Sequence, residues 1–204
     1  MATTIILHPA LVLGQDVIFG DYAIIGEPPR GCQPGELETR IGDHSLIRSH
    51  SVIYAGNRIG SHFQTGHHVS IRELNQIGDK VSIGTGSVIE HHVSIGNNCR
   101  FHSQTFIPEY TICEDDVWIG PNVVLTNAKY PSAPNTKELL SGIIVKKRAK
   151  IGANVTVLPG ITIGENALIG AGSVVTKDVE AGAVMAGSPA KRINHIDNIS
   201  HYSL

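Results

Sequence analysis

The sequence predicts an all-β fold made of very short strands joined by tight turns, and three observations carry that prediction. An aliphatic residue recurs at every sixth position over most of the chain, and glycine often follows it directly. The composition agrees: 22 glycines and many isoleucines and valines, with only 5% aromatic residues, suit a chain that turns often and packs branched side chains. A period of six matches neither the 3.6 of a helix nor the two-residue alternation of a plain strand. It fits strands whose anchor and fourth-following residue both point inward, with the residues between them rounding a corner at backbone angles that glycine permits.

Taken in order, the elements form three runs. The first is Leu13, Phe19 and Ile25, followed by the Pro- and Gly-rich "GEPPRGCQPGELETR", which reads as a loop. The second runs in one phase from Ile41 through Ile47, Ile53 and Ile59 to Ile119 and Leu125, with Thr65 as its one clearly polar anchor. A second loop, "TNAKYPSAPNTKELLSGII", separates it from the third run, Val145 to Ala181. Cys99 and Cys113 fall on inward positions and read as core thiols, and Phe63 reads as a bulky core plug.

These hexads resemble the hexapeptide-repeat family, and the resemblance covers nearly the whole chain. It implies a left-handed parallel β-helix, a triangular prism with three hexads per coil. Residues 1–190 then form one β-helix domain with loops at about 26–40 and 127–143, and residues 191–204 form a short closing helix and tail. At 18 residues per coil, residues 18 apart stack at about 4.8 Å. Asn57 and Asn75 become neighbours in one inward column, an internal amide ladder.

Bulk properties narrow the function. A net charge of −2 gives no electrostatic reason to expect nucleic acid. Three cysteines, Cys32, Cys99 and Cys113, lack metal-type spacing and read as reduced cytoplasmic thiols. The opening "MATTIILHPALVLG" has neither a basic n-region nor a long apolar run, so neither a signal peptide nor a membrane span is expected.

Naming the three corners A, B and C from Ile41 onward, both loops leave from corner C. Glycine follows the anchor at seven of nine corner A positions and six of eight at corner B, but at one of eight at corner C. A turn type indifferent to glycine explains the loss but not the replacements. On consecutive coils corner C presents Arg72 and Glu73, then Glu90, His91 and His92, then Glu109 and Tyr110, then Asn127. Corner B presents His67 and His68, then Thr85, then His102, Ser103 and Gln104. A ribbon of acids and imidazoles beside two loops has the composition of a pocket wall.

The family resemblance implies an acyltransferase that uses acetyl-CoA or another acyl-CoA, working as a homotrimer with sites between subunits. Acyl transfer needs a base and donors for a developing oxyanion. His91, His92 and His102 are candidate bases because an unperturbed imidazole titrates at about 6.5. Glu90 or Glu109 would orient such a histidine or hold an ammonium group, with Glu109 counted among the catalytic candidates. Ser103 and Gln104 are candidate donors. The middle of the chain, "TGHHVSIRE" through "FHSQTFIPEYTICEDDVWIGPNVVLTNAKYP", is most similar to the branch that N-acylates amino sugars carried on UDP or dTDP. That places His67, Arg72 and Glu73 near the sugar nucleotide, His102 to Gln104 toward the reacting carbons, and Asn127 and Tyr130 in the cleft. The C-terminal run ending "AGSPAKRI" resembles the coenzyme A segment. It implies pantetheine contacts at Gly152, Ala153, Gly170 and Ala171, where a side chain would block approach, and phosphate contacts at Lys177 and Lys191.

Other readings stay open at this point. Several nucleotide-sugar branches let the departing thiolate take the proton, which would leave the histidines without that task. O-acetylation of a free sugar or amino acid uses the same frame. A γ-type carbonic anhydrase would need a zinc-binding histidine set around the His62 and His67 pair, and no metal site is expected here. A non-catalytic scaffold would not need the corner C ribbon.

Overall fold

The computed structural model describes residues 4–202. The chain is the left-handed parallel β-helix expected from its repeats, with strands of mostly two residues in three sheets. Each sheet is named here for the corner that follows it. Sheet A contains the strands ending at Leu13, Ile41, Ile59, Ile77 and Ile95, and sheet B those ending at Phe19, Ile47, Thr65, Ile83, Phe101 and Ile119. Sheet C contains those ending at Ile25, Ile53, Ile71, Ile89 and Ile107. Corner C therefore joins sheet C to sheet A and lies opposite sheet B.

Register is set by the anchors. Ile71 pairs with Ile89 and Ile89 with Ile107, 18 residues apart, so identical positions stack coil upon coil. Across the first loop Ile25 pairs with Ile53, and across the second Leu125 pairs with Val157. Both insertions are excursions from corner C after which the coil resumes in phase. The second returns through a Ser141 N–H to Asn127 carbonyl bond of 2.9 Å and contains one 3-10 turn, Thr136–Leu139.

The core is a continuous column of anchors and fourth-following residues, nearly all fully buried. Phe63 is the expected plug at 0% exposure. Thr65 is tolerated inside because its hydroxyl accepts the Arg48 N–H at 2.8 Å. The amide ladder is present. Asn57 Oδ1 accepts the Asn75 N–H at 3.0 Å, Asn75 Oδ1 accepts the Val93 N–H at 2.6 Å, and both Nδ2 groups donate to the Arg72 carbonyl at 2.8 Å. Cys99 and Cys113 are buried, and burial pushes the Cys99 thiol up to about 11 and that of Cys113 well above the ordinary value.

Two expectations are corrected. Gly26 and Gly182 apart, the left-handed turn residue is not the glycine after the anchor but the third residue after it, at all three corners: His44, His62 and Asn98 at A, His50, His68 and Gln104 at B, Leu74, His92 and Tyr110 at C. Glycine after the anchor answers a different need: a Cβ on Gly42 would sit 2.6 Å from the backbone of Gly60 and Ser61 in the next coil. The closing helix is also absent. Lys191–His195 is a strand, antiparallel to Ala183–Ala186, because the open backbone edge of the last strand takes a partner; only the 3-10 turn Ile196–Asn198 follows.

Candidate functional site

Corner C assembles one side-chain network over several coils. Arg72 makes a two-pronged contact with Glu73, at 2.9 and 3.1 Å, and its Nη1 lies 3.6 Å from Glu90. The guanidinium stands 4.9 Å above the Tyr54 ring, which fixes it from below. One coil on, His91 Nε2 lies 3.8 Å from Glu109 Oε1, and the other Glu109 oxygen accepts the Asn127 amide N–H at 2.6 Å. Asn127 is buried at the root of the second loop. His91 Nδ1 and His92 Nδ1 lie within hydrogen-bond distance at 2.8 Å, and Tyr110 packs against both rings.

The carboxylates differ although their neighbours overlap. Burial pushes Glu73 up, but the Arg72 hydrogen bonds and charge outweigh it and hold Glu73 below the usual range. Burial, together with the nearby Glu109 charge, raises Glu90 in spite of Arg72 and His91. A carboxyl group raised by burial and by a neighbouring carboxylate is suited to receiving a cation, whose charge offsets both.

The corner B candidates lie on another edge of the prism and do not join this network within one chain. His102 packs at a tilt against Trp118 with ring centroids 4.8 Å apart, and its Nε2 accepts a hydrogen bond from Arg100 Nε at 3.2 Å. Burial, then the Arg100 charge, lowers its pKa, which keeps the ring neutral. Ser103 lines the same cavity as His102, while Gln104 occupies the exposed left-handed turn position. His67 Nδ1 is 2.7 Å from the Ser49 hydroxyl at corner B, away from Arg72. His62 instead stacks on His44 at corner A, so the pair five residues apart points to different edges. Tyr130 is exposed in the loop with Lys129 above its ring.

The coenzyme candidates fall partly as expected. Gly152 lines an apolar cavity of about 260 Å³ with Trp118, Lys150, Leu168 and Tyr202, beside corner B. A Cβ at Gly152 would meet the Ala171 nitrogen at 2.7 Å, so coil packing alone already requires this glycine. Ala153, Gly170 and Ala171 continue the edge, whereas Lys177 and Lys191 are exposed on separate segments. Sequence reasoning missed Tyr54 beneath Arg72. It also missed Arg48, Gln64, Ser82 and Arg100 on sheet B, whose signal was a polar outward residue just before or after the anchor.

Comparisons with known proteins agree with this frame. The family described as bacterial transferase hexapeptide (six repeats) matches residues 76–109 and 142–177, stretches that hold Glu90, His91, His102 and Glu109 and the coenzyme candidates from Gly152 to Lys177. A putative acetyltransferase of Schizosaccharomyces pombe is 46% identical over 105 residues, 50% of this chain and 49% of that protein. Galactoside O-acetyltransferase of Escherichia coli is 38% identical over 118 residues, 54% of this chain and 58% of that enzyme. The chain thus spans about half the length of these curated relatives. The structure of a UDP-N-acetylglucosamine acyltransferase from Bacteroides fragilis matches with a TM-score of 0.62 over 96% of this chain and 74% of that one. At 16% identity the likeness is one of fold.

Proposed function

The chain carries the six-residue repeats of the bacterial transferase hexapeptide family, and from that premise we propose that it is an acyl-CoA-dependent acyltransferase that N-acylates an amino sugar carried on UDP or dTDP. One observation carries the acceptor assignment: the half-buried Glu90, His91 and Glu109 cluster at the root of the second loop. Two carboxylates around an imidazole attract an ammonium group and offer a group to deprotonate it. The acetyltransferase names of the matched relatives support acyl transfer.

An acceptor ammonium docked between Glu90 and Glu109 must lose a proton before its nitrogen can attack. With the ring proton on His91 Nδ1, the Nε2 lone pair is available, and the imidazolium formed there lies 3.8 Å from Glu109. Asn127 holds the other Glu109 oxygen, so the carboxylate keeps its orientation while the charge on His91 changes. Acyl-CoA supplies the thioester, whose C–S bond breaks as the C–N bond forms and whose sulfur takes the second proton of the nitrogen; His91 returns the first to solvent. Gly152, Ala153, Gly170 and Ala171 would carry the pantetheine beside the apolar cavity at Trp118, with Lys177 and Lys191 toward the phosphates. Arg72 and Glu73 would meet the sugar, with His67, Ser103, Gln104 and Tyr130 contributed across a subunit cleft.

A homotrimer supports that arrangement. Corners B and C flank sheet C, whose outward row carries Ile24, Val52, Val88, Phe106, Val124 and Val174, interrupted by Ser70 and Thr156. Packing copies through this face would bring corner B of one subunit, with His102, toward corner C of another. The similarity to galactoside O-acetyltransferase favours a second reading, acylation of a sugar hydroxyl. A thiol-release assay with acetyl-CoA against UDP- and dTDP-linked amino sugars, and against free sugars, decides between them. Turnover with the amines supports the N-acyl reading; turnover confined to hydroxyl acceptors selects the second; no thiol release with either removes both.

A further inference from the structure

The face opposite corner C carries a different chemistry. A cavity of about 230 Å³ on sheet B is lined by Arg48, Gln64, Ser82, Thr85, Arg100 and His102, together with backbone of the intervening coils. A neighbouring cavity of about 430 Å³ shares Gln64, Ser82 and Arg100 with it and adds His62 and Lys80. Neither wall contains a carboxylate.

Several cations elsewhere are matched: Arg40 with Glu38, Arg72 with Glu73, Lys146 with Glu114, Arg148 with Glu165 and Arg192 with Glu180. The sheet A cavity is also free of acid, but of its two guanidiniums Arg40 is paired and Arg58 stands alone. Among the described residues, Arg48, Lys80 and Arg100 have no such partner, and the Arg100 side chain bonds only the His102 ring, through Nε. The Ser82 hydroxyl and Gln64 amide point into the same space as further donors. Guanidinium groups grouped without counter-ions repel one another, and an oxyanion that accepts their planar N–H forks relieves the repulsion.

We propose that sheet B binds a diphosphate group, gripped between Arg48 and Arg100 and hydrogen-bonded by Gln64, Ser82 and Thr85. The strands bearing these arginines are separated by three coil steps, about 14 Å at the usual strand spacing. Both arginine side chains nevertheless line one cavity, where two linked phosphoryl groups offer each guanidinium its own oxygens. Thr85 is ready to donate because its oxygen accepts the His67 N–H at 3.3 Å and its own proton is uncommitted. Within one chain the site lies across the prism from Glu90 and Glu109, but it shares His102 and Ser103 with the proposed subunit cleft, so it is tested by binding alone, apart from acyl transfer.

The test is calorimetric titration of the full chain, at fixed ionic strength, with pyrophosphate, orthophosphate and UDP. Wild type is compared with Arg48→Gln, Arg100→Gln and Arg58→Gln, the last removing a guanidinium from the sheet A face. Pyrophosphate should bind saturably, one per chain, and weaken about tenfold or more in each of the first two variants with no change in the third. Thermal unfolding of each variant confirms that these exposed substitutions leave the fold intact. Equal loss in Arg58→Gln, orthophosphate binding as tight as pyrophosphate, or no saturable binding would overturn the assignment. UDP binding with the same sensitivity identifies a nucleoside diphosphate as the source, and pyrophosphate binding without UDP binding keeps the diphosphate and excludes the nucleoside.

Discussion

Glu90 shows how a single side chain can cost stability in order to be useful. Its carboxyl is raised by burial and by Glu109, so the folded chain binds that proton more tightly than the unfolded chain does. The sign follows: the penalty is absent below the ordinary carboxylate pKa, grows as pH rises toward the raised folded value, and is fully present above it. Glu90→Gln should therefore be more stable than the native chain at pH 7 to 8, and the advantage should vanish at about pH 4 in denaturant titrations. The same variant should raise KM for an amine acceptor roughly tenfold or more, since a charge-assisted contact is lost. A variant destabilised at pH 8, with KM unchanged, would show that Glu90 neither bears this strain nor meets the acceptor. The histidines divide at this scale as well. His44, His50, His62, His68 and His92 occupy the left-handed turn position, which Asn, Asp and His adopt more readily than most residues. Much of the chain's histidine content is thus turn chemistry, while His91, one position earlier, is free to face Glu109.

At the level of the coil, the Asn ladder links core to site. Asn75 satisfies the Val93 N–H and the Arg72 carbonyl, and Arg72 is the residue that grips Glu73 and approaches Glu90. Asn75→Ala orphans the Val93 N–H and leaves the Arg72 carbonyl with the Asn57 amide alone, and should lower unfolding stability by about 1–3 kcal/mol in urea. It should also loosen the outward face of that turn, lowering kcat/KM more than Asn57→Ala does. Equal loss of activity in the two variants would confine the ladder to stability. The coil was the most legible part of the sequence, because inward positions obey steric rules that repeat: the anchors from Ile41 to Leu125, the pairing across both loops and the buried asparagines all follow from spacing. The role of glycine was misplaced because close approach between coils and left-handed angles both select glycine, and spacing cannot separate the two causes. The last segment was read as a helix because "AGSPAKRI" resembles the family's exit into a closing helix, and its partner strand Ala183–Ala186 becomes visible only when the prism end is built.

For the whole molecule, sheet C is the feature that a lone chain leaves unfinished. Its outward row combines Val88, Phe106 and Val124 on successive coils between two polar edges. Phe106→Glu should leave the core intact, since that side chain points out from Ile107, yet shift sedimentation from a trimer to a smaller species and remove most acyl transfer. A variant that remains trimeric and active would place the subunit contact on another face. The candidate site was legible as a ribbon along corner C but not as a set: Glu90, His91 and Glu109 meet, whereas His102, Ser103 and His67 belong to the edge beyond sheet C. Sequence phase gives the corner of each residue, and only three-dimensional assembly says which corners share a ligand. The stacked register has a further consequence for how such a molecule grows. Because Ser70 pairs with Val88 and each coil closes on itself before the next begins, duplicating one 18-residue segment would lengthen the prism by about 4.8 Å without displacing an existing pair. Ancestral lengthening and surface change are therefore separable events: copying supplies frame, and drift at outward positions rewrites what the frame displays.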